Sequence, residues 1–533
     1  MLGGTEILTT AQMRAIESAA IDSGKVTGLE LMERAGAAVV DAILAKWPEY
    51  AERPEKFPWR ATVLCGPGNN GGDGFVIARL LAGLGWETTV EFYGDADRLP
   101  ADARLNYDRW CKIGKVYPLD LDVQQRFKAD VLVDALFGIG LSRPVDAFCD
   151  YFDDIYAAVN NVFGGKSATT IDRLVAVDVP SFLCADSGRV LSREVMPWLE
   201  YDMTVTFHRP KIGHVIGDGP ELCGALVVAD IGLFQSRSDH VGDFTRAVSV
   251  RASDFAKHAF SHKFDHGHAL IIAGGIGHGG AARLSARAAL RVGAGLVTLC
   301  PPKSALIEHS GPPDALMRRA VDDAATLAEM LTDKRISALC IGPGCGVDRA
   351  GALLPAVLES GRHCVLDADA LTALAGKPDL LPGLHKNCVL TPHAGEFARL
   401  FPDLAERLAE LPERGPAYSK LDAARQASAR CGAVVLLKGP DTVIAGPDGR
   451  AEIHSAYDVP WLATAGSGDV LAGLITGLLA RNPPEYAVSY STAFQFAANA
   501  TALHAAAARR FGPGLIADDL PDQIPGVFRD LAV

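Results

Sequence analysis

The sequence is short of positive charge. Its 51 Lys and Arg residues stand against 64 Asp and Glu, a formal net charge of −13. Nucleic acid and anionic lipid both reward a basic face, so neither is expected as a partner. Small anionic substrates remain open, since they need only a few local donors. Paired cysteines are lacking as well. The eleven cysteines are scattered without any CxxC, Cys340 and Cys345 being the closest two. No disulfide framework is expected in so large a chain, and reduced thiols in a cytoplasm are the plain reading. No apolar stretch runs a spanning length free of Gly, Ser or charge, and "MLGGTEILTTAQMRAIESAA" has no basic segment leading into an apolar core. Neither a membrane helix nor a signal peptide is expected. What the chain does have is 533 residues, 49% of them hydrophobic. That is too much for one ordinary core, and two or three domains are expected.

Two α/β successions are visible. The first opens with helical patterns, "TAQMRAIESAAIDSG" and "LELMERAGAAVVDAILAKW". Strand-like "ATVLCG" follows, then a glycine loop, helical "FVIARLLAGLG", and the runs "ETTVEFYG", "DVLVDALFG", "RLVAVDVP" and "CGALVVADIGL". The second restarts at "HALIIAGG" and passes through "LVTLCPP", "ISALCIGPG", "HCVLDADAL", "NCVLTPHAGE" and "AVVLLKGPDTVIAGPDGRAEIH" to two long helical patterns. Short β-branched runs alternating with helical patterns imply parallel strands joined by crossover helices. A polar stretch at 234–247 separates the halves, giving domains over 1–236 and 247–533. The Pro-rich stretch at 50–60 reads as an exposed connection.

Chemistry gathers where strands end. "GPGNNGGDG", residues 66–74, holds five glycines between a strand and a helix. They suit either a tight turn or a backbone brought close to a ligand, with the helix N-terminus offering N–H groups to phosphate. "VDALFGIGLSRP" ends a strand with Asp134, and "VAVDVPSFLCADSG" ends another with Asp178, followed by Ser181. Each alone could cap a helix or turn. Together, at separate strand ends, they can converge on one crevice.

In the second half, "TPHAGEFARL" places His393 and Glu396 at a helix entry, and "LKGPDTVI" places Lys438 and Asp441 at a strand end. "WLATAGSGDVLAGLITGLLA" sets a single charge, Asp469, behind glycines. An anion hole beside a carboxylate base is what phosphoryl transfer to a hydroxyl requires. His258, His262 and His266 have helical spacing, but Gly267 and a strand follow at once, so a solvated junction is expected there and not zinc.

With these motifs the chain resembles the bifunctional NAD(P)H-hydrate repair enzymes over nearly its whole length. "GPGNNGGDG", "VDALFG" and "VDVPS" match the epimerase half; "AARLSARAALRVGAGLVT", "LDADAL", "TPHAGE", "LKGPDTVI" and "TAGSGDVLAG" match the dehydratase half. The resemblance implies two layered α/β domains, a Rossmann-like three-layer one and a ribokinase-like one. It implies epimerisation of R and S NAD(P)H hydrate, then ADP-dependent dehydration of the S form to NAD(P)H, AMP and phosphate. Asp178 and Asp469 would be catalytic. The epimerase substrate would meet Asn69, Asn70, Gly71, Gly72, Asp73, Gly138, Ile139, Gly140, Leu141, Ser142, Arg143, Pro144 and Asp178. Potassium would be held by Asn70, Asp134 and Ser181. In the other half, Ala281, Gly344, His393 and Asp469 would face the hydrate, and Lys438, Gly439, Pro440, Asp441, Thr442 and Gly468 the nucleotide, with magnesium accompanying ADP. A cytoplasmic homo-oligomer is expected. Phe182 stands where the family reads glycine, which predicts a crowded epimerase pocket or a turn denied positive φ; Ile139 replaces a usual threonine, and Thr372 ends the "LDADAL" motif differently. A rival reading is a ribokinase-like kinase for a vitamin precursor, fused to a non-catalytic binding domain; "NNGGDG" argues against it.

Overall fold

Parallel strands buried on both faces read as near-continuous apolar runs, and the computed structural model builds its sheets from such runs. It describes residues 2–52, 57–121, 127–161, 170–233, 245–257, 259–481 and 491–533. Residues 234–244 of the expected boundary, 53–56 of the Pro-rich stretch, and His258 lie outside them. The chain forms two compact units, and neither is one continuous segment. The N-terminal unit comprises Glu6–Gly242 and Glu410–Ser419; the C-terminal unit comprises Met1–Thr5, Asp243–Ala409 and Lys420–Val533.

The N-terminal unit carries seven strands: β1 (Arg60–Cys65), β2 (Glu87–Phe92), β3 (Val116–Pro118), β4 (Lys128–Ala135), β5 (Thr170–Val177), β6 (Met203–Phe207) and β7 (Ala225–Ala229). Their order is β3-β2-β1-β4-β5-β6-β7, all parallel. Alternate residues of β4 serve opposite cores. Val131, Val133 and Ala135 pack with the helices Gly28–Lys46 and Asn69–Gly83, while Leu132 packs with the helix Cys149–Val159. This makes three layers. Residues 410–419 join this unit through backbone: Gly415 N donates to Ser142 O at 3.1 Å, and Arg189 donates to Tyr418 O at 3.4 Å.

The C-terminal unit carries β8 (Thr245–Ala247), β9 (His268–Ile272), β10 (Leu296–Cys300), β11 (Met317–Arg318), β12 (Ile336–Ile341), β13 (His363–Leu366), β14 (Cys388–Leu390), β15 (Val434–Leu437), β16 (Asp441–Ala445) and β17 (Ala451–Ser455). The order is β11-β10-β9-β12-β13-β14-β15-β16-β17-β8, with β16 antiparallel to both neighbours. One face packs on the helices Gly279–Arg291, Ser467–Ala480 and Ser491–Phe511. Among the described residues, no helix is long and apolar enough to cross a membrane.

The expected glycine loop after β1 is helix from Asn69 onward. Its glycines are mostly there for close packing. A Cβ on Gly71 would lie 1.9 Å from Gly66 O, and one on Gly74 2.7 Å from Cys65 Sγ. The same holds for the apolar helix after Asp469. A Cβ on Gly473 would lie 2.1 Å from Ser285 O, and one on Gly477 2.5 Å from Val292 Cγ1. These glycines let two helices touch backbone to backbone. Gly473→Ala should therefore destabilise the protein by about 1–3 kcal/mol, the usual cost of overpacking a close-packed site. Urea denaturation of the full chain checks this, and an unchanged midpoint contradicts it.

Two candidate active sites

In the N-terminal sheet the strand order reverses between β1 and β4. The segments leaving their C-terminal ends diverge there, which is where open α/β sheets bind ligands. A cavity of about 760 Å³ opens at this point. Asn69, Asn70, Asp73, Gly138, Ile139, Gly140, Leu141, Ser142, Arg143 and Asp178 line it. Gly71, Gly72 and Pro144 do not: Gly71 packs on Gly66, and a Cβ on Gly72 would lie 2.6 Å from the Met32 side chain. Arg14 and Glu17 on the helix Thr10–Asp22 also line the cavity and were missed by sequence reasoning. Their only signal was a polar pair one turn apart on an amphipathic helix.

Asp178 follows β5 in a strained conformation, φ 67°. Its Oδ1 accepts from Lys211 Nζ at 2.8 Å and from Thr206 Oγ1 at 2.8 Å. Lys211 Nζ also donates to Thr206 Oγ1 at 2.7 Å and Phe207 O at 3.1 Å. His214 Nδ1 accepts from Lys211 N at 2.9 Å, so its Nε2 carries the proton that faces Asp178 O at 2.8 Å. Burial pushes Asp178 up, but the Lys211 ammonium outweighs it and the carboxyl sits below its usual range. Asp73 behaves oppositely. Burial, then the charges of Asp178 and Glu17, push its carboxyl well above the usual range. Burial and neighbouring charge thus shift two carboxyls of one cavity in opposite directions, the division an acid/base pair needs.

The three residues expected to hold potassium are not all at the cavity wall. Asp134 and Ser181 are fully buried and bonded to each other, Ser181 Oγ to Asp134 Oδ1 at 2.5 Å. Tyr201 OH donates to Asp134 Oδ2 at 2.6 Å. Asn70 lines the cavity, and its amide nitrogen is buried without a partner.

In the C-terminal unit the strand order reverses between β9 and β12, and the turns after these strands interlock. A Cβ on Gly344 would lie 2.5 Å from His278 O and 3.3 Å from Ala281 Cβ. The predicted pair Ala281 and Gly344 is therefore brought together. Farther along the sheet, Asp367 follows β13, and its Oδ1 accepts from Lys438 Nζ at 2.8 Å and Thr391 Oγ1 at 2.9 Å. Ala368 beside it has φ 45°, backbone strain of the kind that marks functional turns. Lys438 Nζ would lie 3.3 Å from a Cβ on Gly468. Its charge therefore sits at the start of the helix Ser467–Ala480. There the first intrahelical bond is Val470 N to Gly466 O, at 3.1 Å, which leaves the earlier amides as terminal donors. Burial, then Asp367, push the Asp469 carboxyl up to about 6, with Lys438 offsetting part of the rise.

The remaining predicted residues are placed as follows. His393 is the N-cap of Ala394–Leu400, its Nδ1 accepting from Gly395 N at 3.0 Å, with most of the ring exposed. Lys438, Gly439, Pro440, Asp441 and Thr442 form the turn from β15 into β16. Asp441 pairs with Lys420 at 2.5 Å, and Thr442 Oγ1 donates to Gly439 O at 2.7 Å. Asp367 and Lys420 were absent from the predicted set. Asp367 was readable as a carboxylate at a strand end; Lys420, in a helix, gave no signal.

Two family models match the chain: YjeF-related protein N-terminus over residues 28–213 and NAD(P)H-hydrate dehydratase over residues 269–524. The bifunctional NAD(P)H-hydrate repair enzyme of Coxiella burnetii is 37% identical over 90% of this chain and 90% of its own. That of Escherichia coli is 32% identical over 95% and 91%. The chain belongs to the bifunctional NAD(P)H-hydrate repair enzyme family. The NAD(P)H-hydrate epimerase of Rhodobacter capsulatus is 48% identical over 39% of this chain and 92% of its own. A solved ADP/ATP-dependent NAD(P)H-hydrate dehydratase of Bacillus subtilis, co-crystallised with ATP and Mg²⁺, covers 52% of this chain and 94% of its own, at 26% identity and a TM-score of 0.42.

Within this repair-enzyme family, Phe182 proves harmless to the cavity. It is buried against Phe152 and Tyr201, at ring distances of 5.2 and 6.1 Å, and it has no positive φ. The expected crowding is overturned because the ring turns into the core and not toward Asp178. Ile139 does line the cavity, and Thr372 lies in the helix Asp369–Ala375.

The Asp178–Lys211 pair makes a checkable prediction. Lys211→Met should leave a buried charge unpaired and cost about 3–5 kcal/mol at neutral pH. The sign with pH follows from linkage. With Lys211, Asp178 adds stability above its unfolded pKa that fades as pH falls through its lowered folded value; without Lys211 its folded value rises. The gap between wild type and variant should therefore shrink from pH 7 to pH 4. Denaturant titrations across that range check this, and a pH-independent gap contradicts it.

Proposed function

We propose that the N-terminal unit epimerises R and S NAD(P)H hydrate. The C-terminal unit then uses ADP to phosphorylate the S form and eliminates phosphate, yielding NAD(P)H, AMP and phosphate. Membership of the repair-enzyme family across both units supports the pairing of activities. The observation that carries the reading is the pair of opposed carboxyls, Asp73 and Asp178, in one cavity.

In the N-terminal cavity, Asp73 donates its proton to the departing hydroxyl of the hydrate. Water returns from the other face of the ring and gives a proton to Asp178. Lys211 holds Asp178 in its charged form, and Asn69, Ser142 and Arg143 offer polar contacts to the rest of the dinucleotide. The donor set fits potassium. Asp134 is a buried carboxylate that accepts from the neutral groups Ser181 N, Ser181 Oγ and Tyr201 OH, and the unpartnered amide end of Asn70 would present oxygen on rotation. Asn70, Asp134 and Ser181 would hold the ion, which supplies a positive anchor for substrate oxygens.

In the C-terminal site, Asp469 takes the proton of the hydrate hydroxyl, while Lys438 and the amides at the start of Ser467–Ala480 receive charge on the phosphoryl oxygens. Phosphate then leaves, and a ring proton is lost as the double bond reforms. Magnesium fits as an ion carried on the nucleotide. Asp367, Asp369 and Glu396 all bear electrostatically on Asp469, yet among the described residues no three carboxylates converge into a cage.

The test uses chromatography of mixed hydrate incubated with ADP. Asp178→Ala should consume about half the mixture and stop with the R form, apart from slow spontaneous epimerisation. Asp469→Asn should cut consumption of pure S hydrate by roughly 10²–10⁴-fold. Complete consumption at the wild-type rate by Asp178→Ala would remove Asp178 from catalysis, and an unaffected Asp469→Asn would remove the base.

A further inference from the structure

Two thiols and an imidazole meet at the end of the C-terminal sheet remote from Asp367. Cys364 in β13 and Cys388 in β14 are register partners in the parallel ladder. Their sulfurs are 3.5 Å apart. A tight turn, Cys388 N to His385 O at 2.8 Å, folds His385 back over them. One nitrogen of His385 and both sulfurs lie within 4.8 Å of one another. Both cysteines are buried and His385 is half-buried.

We propose that Cys364, Cys388 and His385 form a binding site for zinc. Three observations carry it. The donor set, two sulfurs and an imidazole nitrogen, selects soft or borderline cations over magnesium or calcium. At a Zn–S length of about 2.3 Å a tetrahedral ion sets its sulfurs roughly 3.8 Å apart, so 3.5 Å needs only a small adjustment. The His385 ring already lies against the Cys388 sulfur, and its buried Nε2 makes no well-formed hydrogen bond, a costly state for a polar atom that a metal would relieve. Binding releases both thiol protons to solvent. The ring proton shifts from Nε2 to Nδ1, giving up that atom's long 3.3 Å contact from the Asn387 amide. A water would complete the fourth position. The site ties together the starts of two strands, and Asp367 and Thr391 lie three residues along those same strands, roughly 10 Å away at strand rise. Zinc would brace the catalytic strand ends from behind and take no part in the chemistry.

The experiment uses the reduced, metal-free full-length protein and Co²⁺ as the spectroscopic stand-in for zinc. One equivalent should give intense thiolate-to-metal charge transfer and the strong visible bands of a tetrahedral site, both abolished by adding Zn²⁺. Cys364→Ser and Cys388→Ser should lose affinity by more than the roughly 10–100-fold that an outer-shell partner is worth. Cys111→Ser, at an exposed cysteine elsewhere, should leave the spectrum intact. Zinc should also raise the melting temperature of wild type and not that of His385→Asn, a readout that survives if a cysteine variant fails to fold. Absence of charge transfer overturns the site, as does a spectrum unchanged in Cys364→Ser or Cys388→Ser, or a Cys364–Cys388 disulfide in the reduced protein.

Discussion

In each unit a carboxylate buried just past the C-terminal end of a parallel strand is answered by a lysine, and both candidate sites are organised around that pair. Asp178 after β5 meets Lys211 at 2.8 Å, and Asp367 after β13 meets Lys438 at 2.8 Å. Neither pair is a cheap way to hold a fold together, since desolvating two charges can exceed their attraction. Each instead fixes a charge beside the place where a ligand's charge would change. In the N-terminal unit the pair holds the Asp178 carboxyl below its usual range while burial pushes Asp73 nearby well above it. In the C-terminal unit the pair leaves Asp469 as the poorly compensated carboxyl, with its pKa at about 6.

Close backbone approach makes these placements possible. Gly71 lets its helix start against Gly66, so Asn69, Asn70 and Asp73 reach the cavity from a helix and not from a loop. Gly473 and Gly477 press the helix bearing Asp469 onto the helix Gly279–Arg291, and Ser285 Oγ donates to Asp469 O at 2.8 Å. A helix seated on backbone in this way holds a base more rigidly than a loop would.

Two strand ends and one helix start were readable in advance because a charge beside an apolar run is conspicuous: Asp134 and Asp178 at strand ends, and Asp469 in the first turn of a helix. Other features were hidden. β6 was overlooked, although its threonines are β-branched and Thr206 is fully buried beside Asp178. Lys211 gave no signal, since nothing local tells a buried ammonium from a solvated one. The Phe182 substitution predicted crowding because sequence gives the volume of a side chain but not its direction. The glycines of residues 66–74 suited a tight turn or a close ligand, whereas four of the five make room for protein: Gly66 and Gly71 for backbone, Gly72 and Gly74 for side chains. Cys364 and Cys388 lie 24 positions apart, and only the ladder register brings them together.

In the proposed dehydratase reaction, burial and neighbouring charge tune a single base, Asp469, for transfer to a hydroxyl. The most direct measurement is the pH dependence of single-turnover consumption of pure S hydrate at saturating ADP. Because the base must be ionised, the rate should fall on the acid side with an apparent pKa near 6, well above the ordinary carboxylate value of about 4. Asp367→Asn, which removes the neighbouring negative charge, should move that limb to lower pH. An acid limb near 4 in the wild-type protein, or one unmoved in a folded Asp367→Asn variant, would contradict the account.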